Sequence, residues 1–285
     1  MKLNWLVLIC GVSVASRVAA ALIMGNNVES LPGIADQGSY HALALRLLGG
    51  HGFTFATDWW PATRAGEPTA HWSFLYTFYL AGVYAVFGAQ PIIARLLQAV
   101  IVGVAWPVLS WRLGRRMGGE TVGHVAAGWS AVYGYFAYYG GALMTEPLYI
   151  TGILLTLDLA LRIGDGRRRW RDWLFLGLVM GATILLRQLF LLFIPFLLGW
   201  LALKIGRGVR RADLAGAFAA LAVVGLMIAP FTIRNYRAFG RFVLLNTNSG
   251  YAFFFGNHPI YGSQFQAILS GAVGYYELIP KQLLP

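Results

Sequence analysis

"HWSFLYTFYLAGVYAVFG", His71 to Gly88, is apolar and aromatic and contains no acid, lysine or arginine. Whether it crosses a membrane or lies along one decides the side on which every later loop falls. The chain around it requires a membrane. Of 285 residues 58% are hydrophobic and only 12% charged, with a mean hydropathy of +0.62. No soluble domain of this size can present that composition to water. A spanning helix needs roughly 20 apolar residues, and seven runs approach that length: Leu3 to Met24, Pro91 to Trp111, Thr121 to Tyr139, Pro147 to Leu161, Trp173 to Leu186, Leu189 to Leu203 and Leu214 to Ile233. The first is long and others follow it, so it reads as an uncleaved anchor rather than a signal peptide.

The arginines orient these runs. "RLGRR" (Arg112 to Arg116), "RIGDGRRRWR" (Arg162 to Arg171) and "KIGRGVRR" (Lys204 to Arg211), with Lys2, hold thirteen of the 22 basic residues. Confinement to short breaks between apolar runs marks them as orienting charges rather than a nucleic-acid surface, despite a net charge of +11. Positive charge belongs on the cytoplasmic side. With the N-terminus also inside, His71 to Gly88 cannot cross, and must lie along the interface or re-enter, which suits its tryptophan and tyrosine content. The alternative, an outside N-terminus with that segment spanning, would put the 25–70 loop in the cytoplasm. That loop carries Glu29, Asp36, Asp58 and Glu67 against Arg46 and Arg64, the wrong balance for that side. The expectation is an all-α polytopic membrane protein of about seven spans. By the same parity, the run from Trp173 to Leu203 must be two short spans turning at Arg187.

Function then falls on the outer face. Tyr40, Leu43, Ala44, Leu47 and Leu48 follow i, i+3, i+4, i+7, i+8, predicting an amphipathic helix resting on the membrane. Asp36 precedes it, and Glu146 opens the fourth span. Ionisable groups at membrane depth need a partner or a function. Glu146, followed by Pro147, also fits a plain helix N-terminus, and Asp36 a loop cap. Arg17 and Arg95, inside spans, are expected to snorkel or pair with acids, and Asp158 to pair with Arg162 four residues on. Trp59, Trp60 and Pro61 read as a membrane anchor. The lone Cys10 excludes an intrachain disulfide and reads as packing.

The order of "D-x-x-x-Y" in the first loop, "LLGGHGF", an aromatic segment ending "FG", "ARLLQA", "GRR", "TEPLY" and "LLRQ" followed by "IP" resembles the GT-C superfamily of membrane glycosyltransferases. The branch it looks most like contains bacterial protein O-mannosyltransferases, aminoarabinose transferases and lipopolysaccharide-core transferases. The resemblance implies a seven-span core over 1–233, with an outer loop at 25–90, and an outer C-terminal segment at 234–285. It also implies sugar transfer from a polyprenyl-phosphate donor to a lipid, glycan or protein acceptor, at the outer face of the cell (inner) membrane. Asp36 matches the first-loop catalytic acid and Glu146 the second. Arg187 matches the residue near the lipid phosphate, although Gln188 and Leu189 follow where relatives often have proline. Arg234, in "IRNY", is a candidate second phosphate contact, with a topological flank as the alternative. Relatives often carry Pro-Pro where this chain has "EPTAHW"; Arg64 and His71 flank that point as further candidate phosphate contacts, with an aromatic-belt role the alternative for His71. No cofactor is expected, and two acids alone do not make a divalent-cation site. Relatives continue with further spans beyond the equivalent of "LIPKQLLP", which implies a fragment or a short form. Outside enzymes, a flippase for a lipid-linked sugar is the competing reading, although the paired repeats typical of transporters are missing from the sequence. A non-catalytic assembly subunit is the third reading, in which neither acid would matter.

Overall fold

The computed structural model describes residues 5–60 and 63–257. Lys2, Pro61 and the stretch from His258 onward, including Pro259 and "LIPKQLLP", lie outside the described residues. In chain order the helices are α1 (Trp5–Met24), α2 (Gln37–Leu48), α3 (Phe74–Phe87), α4 (Pro91–Val132), α5 (Gly134–Gly141), α6 (Glu146–Gly164), α7 (Trp170–Leu186), α8 (Ile194–Ile205), α9 (Arg211–Phe239) and α10 (Asn248–Gly256). Among the described residues the only β pairing is three isolated bridges, so the protein is an all-α polytopic membrane protein.

Five helical stretches are long and apolar enough to cross a membrane: α1, α4, α6, α9, and α8 together with the 3₁₀ turn Gln188–Phe193 that precedes it. Two further legs, below that length, lie beside them. α4, 42 residues long, leaves helical geometry at Gly118 and Gly119. There it folds back on itself, so that Gly114 lies against Val122 and Gly123 against Trp111. Gly119 makes the bend at φ +81°, a conformation costly to any residue with a Cβ. α7 is the other leg, at 17 residues.

The polarity of the legs follows from contacts at their ends. Lys204, at the end of α8, bonds Asp165 at the end of α6 (2.7 Å), and Arg168, before α7, bonds Asp213 at the start of α9 (3.1 Å). Arg116 bonds Asp165 as well, so the clusters around residues 112–116, 162–171 and 204–211 share one end of the bundle, and the chain reverses at Arg187 as the charges require. α3 does not cross. The Ser73 hydroxyl before it donates to the Leu185 carbonyl (2.9 Å). The Ile92 amide just beyond it donates to Asn26 after α1 (2.9 Å). Both ends of α3 thus stay at the end away from the arginines.

Lipid tails are as apolar as the side chains, so hydrophobic drive cannot hold such helices together and close packing does. Glycines supply it. A Cβ on Gly103 would meet Val14 of α1 at 2.8 Å, and one on Gly216 would meet the Trp173 ring at 2.4 Å.

Three expectations are corrected. The first part of the α2 apolar stripe faces the protein: Tyr40, Leu43 and Ala44 are buried, the first edge-on to Trp72 and Tyr76 of the α3 region, while Leu48 at its end stays exposed. Aromatic rings offer that part a closer-packed partner than lipid does. Asp158 pairs with Arg112 (2.8 Å) and Arg116 (3.6 Å) across the helix interface, not with Arg162, although neither contact has hydrogen-bond geometry. Arg17 and Arg95 are fully buried and bond to backbone carbonyls instead of acids. Arg17 donates to Ser130 (2.8 Å) and Ala131 (3.3 Å) at the C-terminal end of α4, where helix carbonyls lack partners and the dipole favours a cation.

Candidate active site

The end of the bundle away from the arginine clusters gathers two acids and a cation. Glu146 is the first residue of α6, with Pro147 behind it in a position that needs no amide hydrogen. Arg187 occupies the extended residue that ends α7. From there its Nη2 donates to Glu146 Oε1 and its Nε to Thr145 Oγ1 (3.0 Å), with the guanidinium 5.8 Å from the centre of the Tyr149 ring. The side chain remains 42% exposed, and its Nη1 makes no bond to a described residue.

Asp36 sits immediately before α2, and its carboxylate neither caps that helix nor accepts a hydrogen bond from any described residue. Burial and then the negative charge of Glu146 raise it from the ordinary carboxylate range, Arg187 opposes both, and it comes to rest at about 6. Asp36 is therefore within electrostatic reach of the Glu146–Arg187 pair. One turn along, Tyr40 is buried under the same three charges, its hydroxyl bonded to the Ser73 backbone, and its ionisation is pushed up by burial and then by Asp36.

Two residues of "ARLLQA" hold these pieces in place. Arg95 donates to the carbonyls of Gly25 (3.1 Å), Asn27 and Gly141 (2.9 Å), and to the Gln37 side chain (2.9 Å). Gln98, one turn on, donates to the Gly140 (3.1 Å) and Ala142 (2.7 Å) carbonyls and accepts from the Tyr76 hydroxyl (2.8 Å). The loop bearing Asp36 and the turn leading to Glu146 thus hang from one face of one helix. The signal for this was present in the sequence, two polar residues at i and i+3 in an apolar helix, but it named no partner.

Arg234 is placed differently. It donates to the carbonyls of Thr69 (2.9 Å) and Phe53 (3.3 Å) and lies among the rings of Phe53, Phe74 and Phe239. Asn246 donates to the carbonyls of Ala70 (3.1 Å) and Trp72 (2.9 Å), so residues 69–73 are fastened from α9 and the segment beyond it. His71 lies in that fastened stretch, its ring 4.8 Å from that of Trp72, and burial lowers it to about 4, which leaves it neutral at pH 7. Arg64 is half-buried and its guanidinium bonds to no described residue. Neither Arg64 nor Arg234 makes a described contact with Asp36, Glu146 or Arg187. Trp59 stacks on Phe55 (4.6 Å) and donates to Ser39 (2.9 Å), bracing the loop from inside, whereas Trp60 is half exposed.

Among the described residues no three acids, histidines or cysteines gather as metal ligands. Chemically, the arrangement offers a carboxylate poised to take a proton, beside a cation with a nitrogen to spare. No curated protein and no solved structure matches the chain. The family model of dolichyl-phosphate-mannose-protein mannosyltransferases matches residues 71–233, more than half of the sequence. The matched stretch contains His71, Arg95, Glu146 and Arg187 and lies C-terminal to Asp36. With an all-helical membrane fold and an acid–cation site at one end of it, the chain belongs to the dolichyl-phosphate-mannose-protein mannosyltransferase family, and is a GT-C membrane glycosyltransferase.

Proposed function

We propose that the protein transfers a sugar from a polyprenyl-phosphate donor to a hydroxyl-bearing acceptor at the outer face of the membrane, with Asp36 as general base. The observation that carries this reading is the unbonded Asp36 carboxylate, raised to about 6, beside the Glu146–Arg187 pair. Asp36 takes the acceptor proton as the acceptor oxygen attacks the anomeric carbon. The bond from that carbon to the phosphate oxygen breaks, and polyprenyl phosphate departs with the electron pair. The transition state carries positive charge on the sugar and negative charge on the departing phosphate. Arg187 holds the phosphate through its unengaged Nη1, and Glu146 fixes the guanidinium plane and faces the developing positive charge. Outer placement is supported by the separation of this site from the arginine clusters along the whole of α6. Arg234 serves as a clamp on the first loop rather than as a phosphate ligand, and His71 as a neutral donor at the loop.

The test is incubation of membranes containing the protein with a panel of radiolabelled polyprenyl-phosphate sugars, mannose included. One donor should be consumed by the wild type and not by Asp36→Asn. Consumption of none, or equal consumption by Asp36→Asn protein shown to be inserted, would overturn the proposal.

A further inference from the structure

At the other end of α6 lies a cavity of about 320 Å³ lined by five arginines (112, 115, 116, 162 and 167), one acid, Asp165, and Trp111, of a size that holds a small ligand. The 19 residues of α6, at 1.5 Å each, put it roughly 28 Å from Glu146, about the thickness of a bilayer core. It therefore sits at headgroup depth on the face opposite the carboxylate site.

The charges around it do not balance. Arg112 and Arg116 share Asp158, Arg116 and Lys204 share Asp165, and Arg115 pairs with Glu120 (3.1 Å) while lying over the Trp111 ring. Arg162 and Arg167 have no carboxylate partner among the described residues. The Nε of Arg162 is buried without a hydrogen-bond acceptor, and a buried charged donor left unmatched is costly. Two unpaired guanidinium forks converging on one cavity match the geometry of a phosphate group. A basic pocket between helices at this depth meets such groups on lipid headgroups.

We propose that this cavity binds a phosphate anion of the kind that an anionic phospholipid headgroup presents. Native mass spectrometry and thermal unfolding of the purified full chain, with phosphatidylglycerol, phosphatidylcholine or inorganic phosphate added, test it. Phosphatidylglycerol should bind and raise the melting temperature of the wild type, with phosphatidylcholine doing neither. Its affinity should fall about tenfold in Arg162→Gln/Arg167→Gln, by the loss of one charge-assisted bond or more. It should hold in Arg169→Gln/Arg171→Gln, which removes the same charge from nearby surface outside the cavity. Should the first pair fail to fold, Arg167→Gln alone, on an exposed side chain, makes the same comparison against Arg171→Gln. Protection by inorganic phosphate alone, lost in the cavity variants, would support the site with a soluble anion as its occupant. Equal phosphatidylglycerol affinity in wild type and cavity variants, or equal weakening in the control variants, would overturn the proposal.

Discussion

Arg95 Nη2 lies 2.9 Å from Oε1 of Gln37, the residue that follows Asp36. The same guanidinium holds the Gly141 carbonyl five residues before Glu146, so one cation sets the positions of both acids without touching either. Arg95→Lys keeps the charge but loses the planar fork that reaches four acceptors at once. Misplacement of about 1 Å at a reacting centre costs on the order of 10² in rate. Sugar transfer by Arg95→Lys should therefore fall by about that factor while the protein still inserts. A wild-type rate in a membrane transfer assay would show that the tether is dispensable.

Asp36→Asn keeps the shape and removes the basic oxygen. A loss of roughly 10²–10⁴ in transfer is expected, with donor binding retained. In the wild type, the rate should climb as pH rises through about 6, where Asp36 ionises, and level off above it.

The same residue makes a stability prediction of determined sign. Its folded pKa lies above the ordinary value of 3.8, so protonation favours the folded state. That contribution is complete below the ordinary value and is lost as pH rises through about 6. Asp36→Asn should accordingly gain melting temperature relative to wild type at pH 7.5 and lose that advantage at pH 4, as measured by thermal unfolding in detergent.

Arg187→Ala should weaken donor binding by about 10- to 100-fold, the range of a hydrogen bond to a charged group. Arg187→Lys should recover part of it. Donor titration followed by intrinsic fluorescence reads both, and unchanged affinity in Arg187→Ala would leave the residue only its bond to Glu146.

Gly141 passes so close to α1 that a Cβ would stand 2.7 Å from the Ala21 nitrogen and 2.9 Å from the Ala20 carbonyl carbon. Backbone cannot step aside as a side-chain tip can. Gly141→Ala should destabilise the fold by about 1–3 kcal/mol, whereas Gly128→Ala, facing open space, should not. Melting temperatures of the two variants decide it.

Orientation is checked by cysteine labelling in a Cys10→Ala background. Cysteines at Asn27 and Trp60 should react with an impermeant thiol reagent in intact cells, and one at Gly166 should not. The reverse pattern would move the carboxylate site to the cytoplasm.

The crossing pattern was legible because it depends on hydropathy and arginine placement, both local properties of the chain. Parity, once the charge balance of the 25–70 loop favoured an inside N-terminus, required that His71 to Gly88 not cross and that the chain turn at Arg187. Asp36 and Glu146 stood out as acids at membrane depth. What stayed hidden was pairing. Nothing in the sequence says that Arg187 bonds Glu146 41 positions away, that Asp158 faces Arg112 rather than its own i+4 neighbour, or that the first part of the α2 stripe meets rings instead of lipid. Those outcomes depend on which helices become neighbours. Arg234 illustrates the limit: the carbonyls of Thr69 and Phe53 that it bonds lie 165 and 181 positions back in the chain.

That clamp also bears on the order of assembly. Residues 53 and 69 leave the ribosome early, but the side chain that fastens them is encoded 165 positions after Thr69. At 5–20 residues per second, synthesis leaves roughly 8–33 s between the two events. During that interval the loop stands without its tie to α9, exposed to proteases and chaperones. Closure of such a distant contact is slow, so the first loop to be made is finished only once α9 is in place.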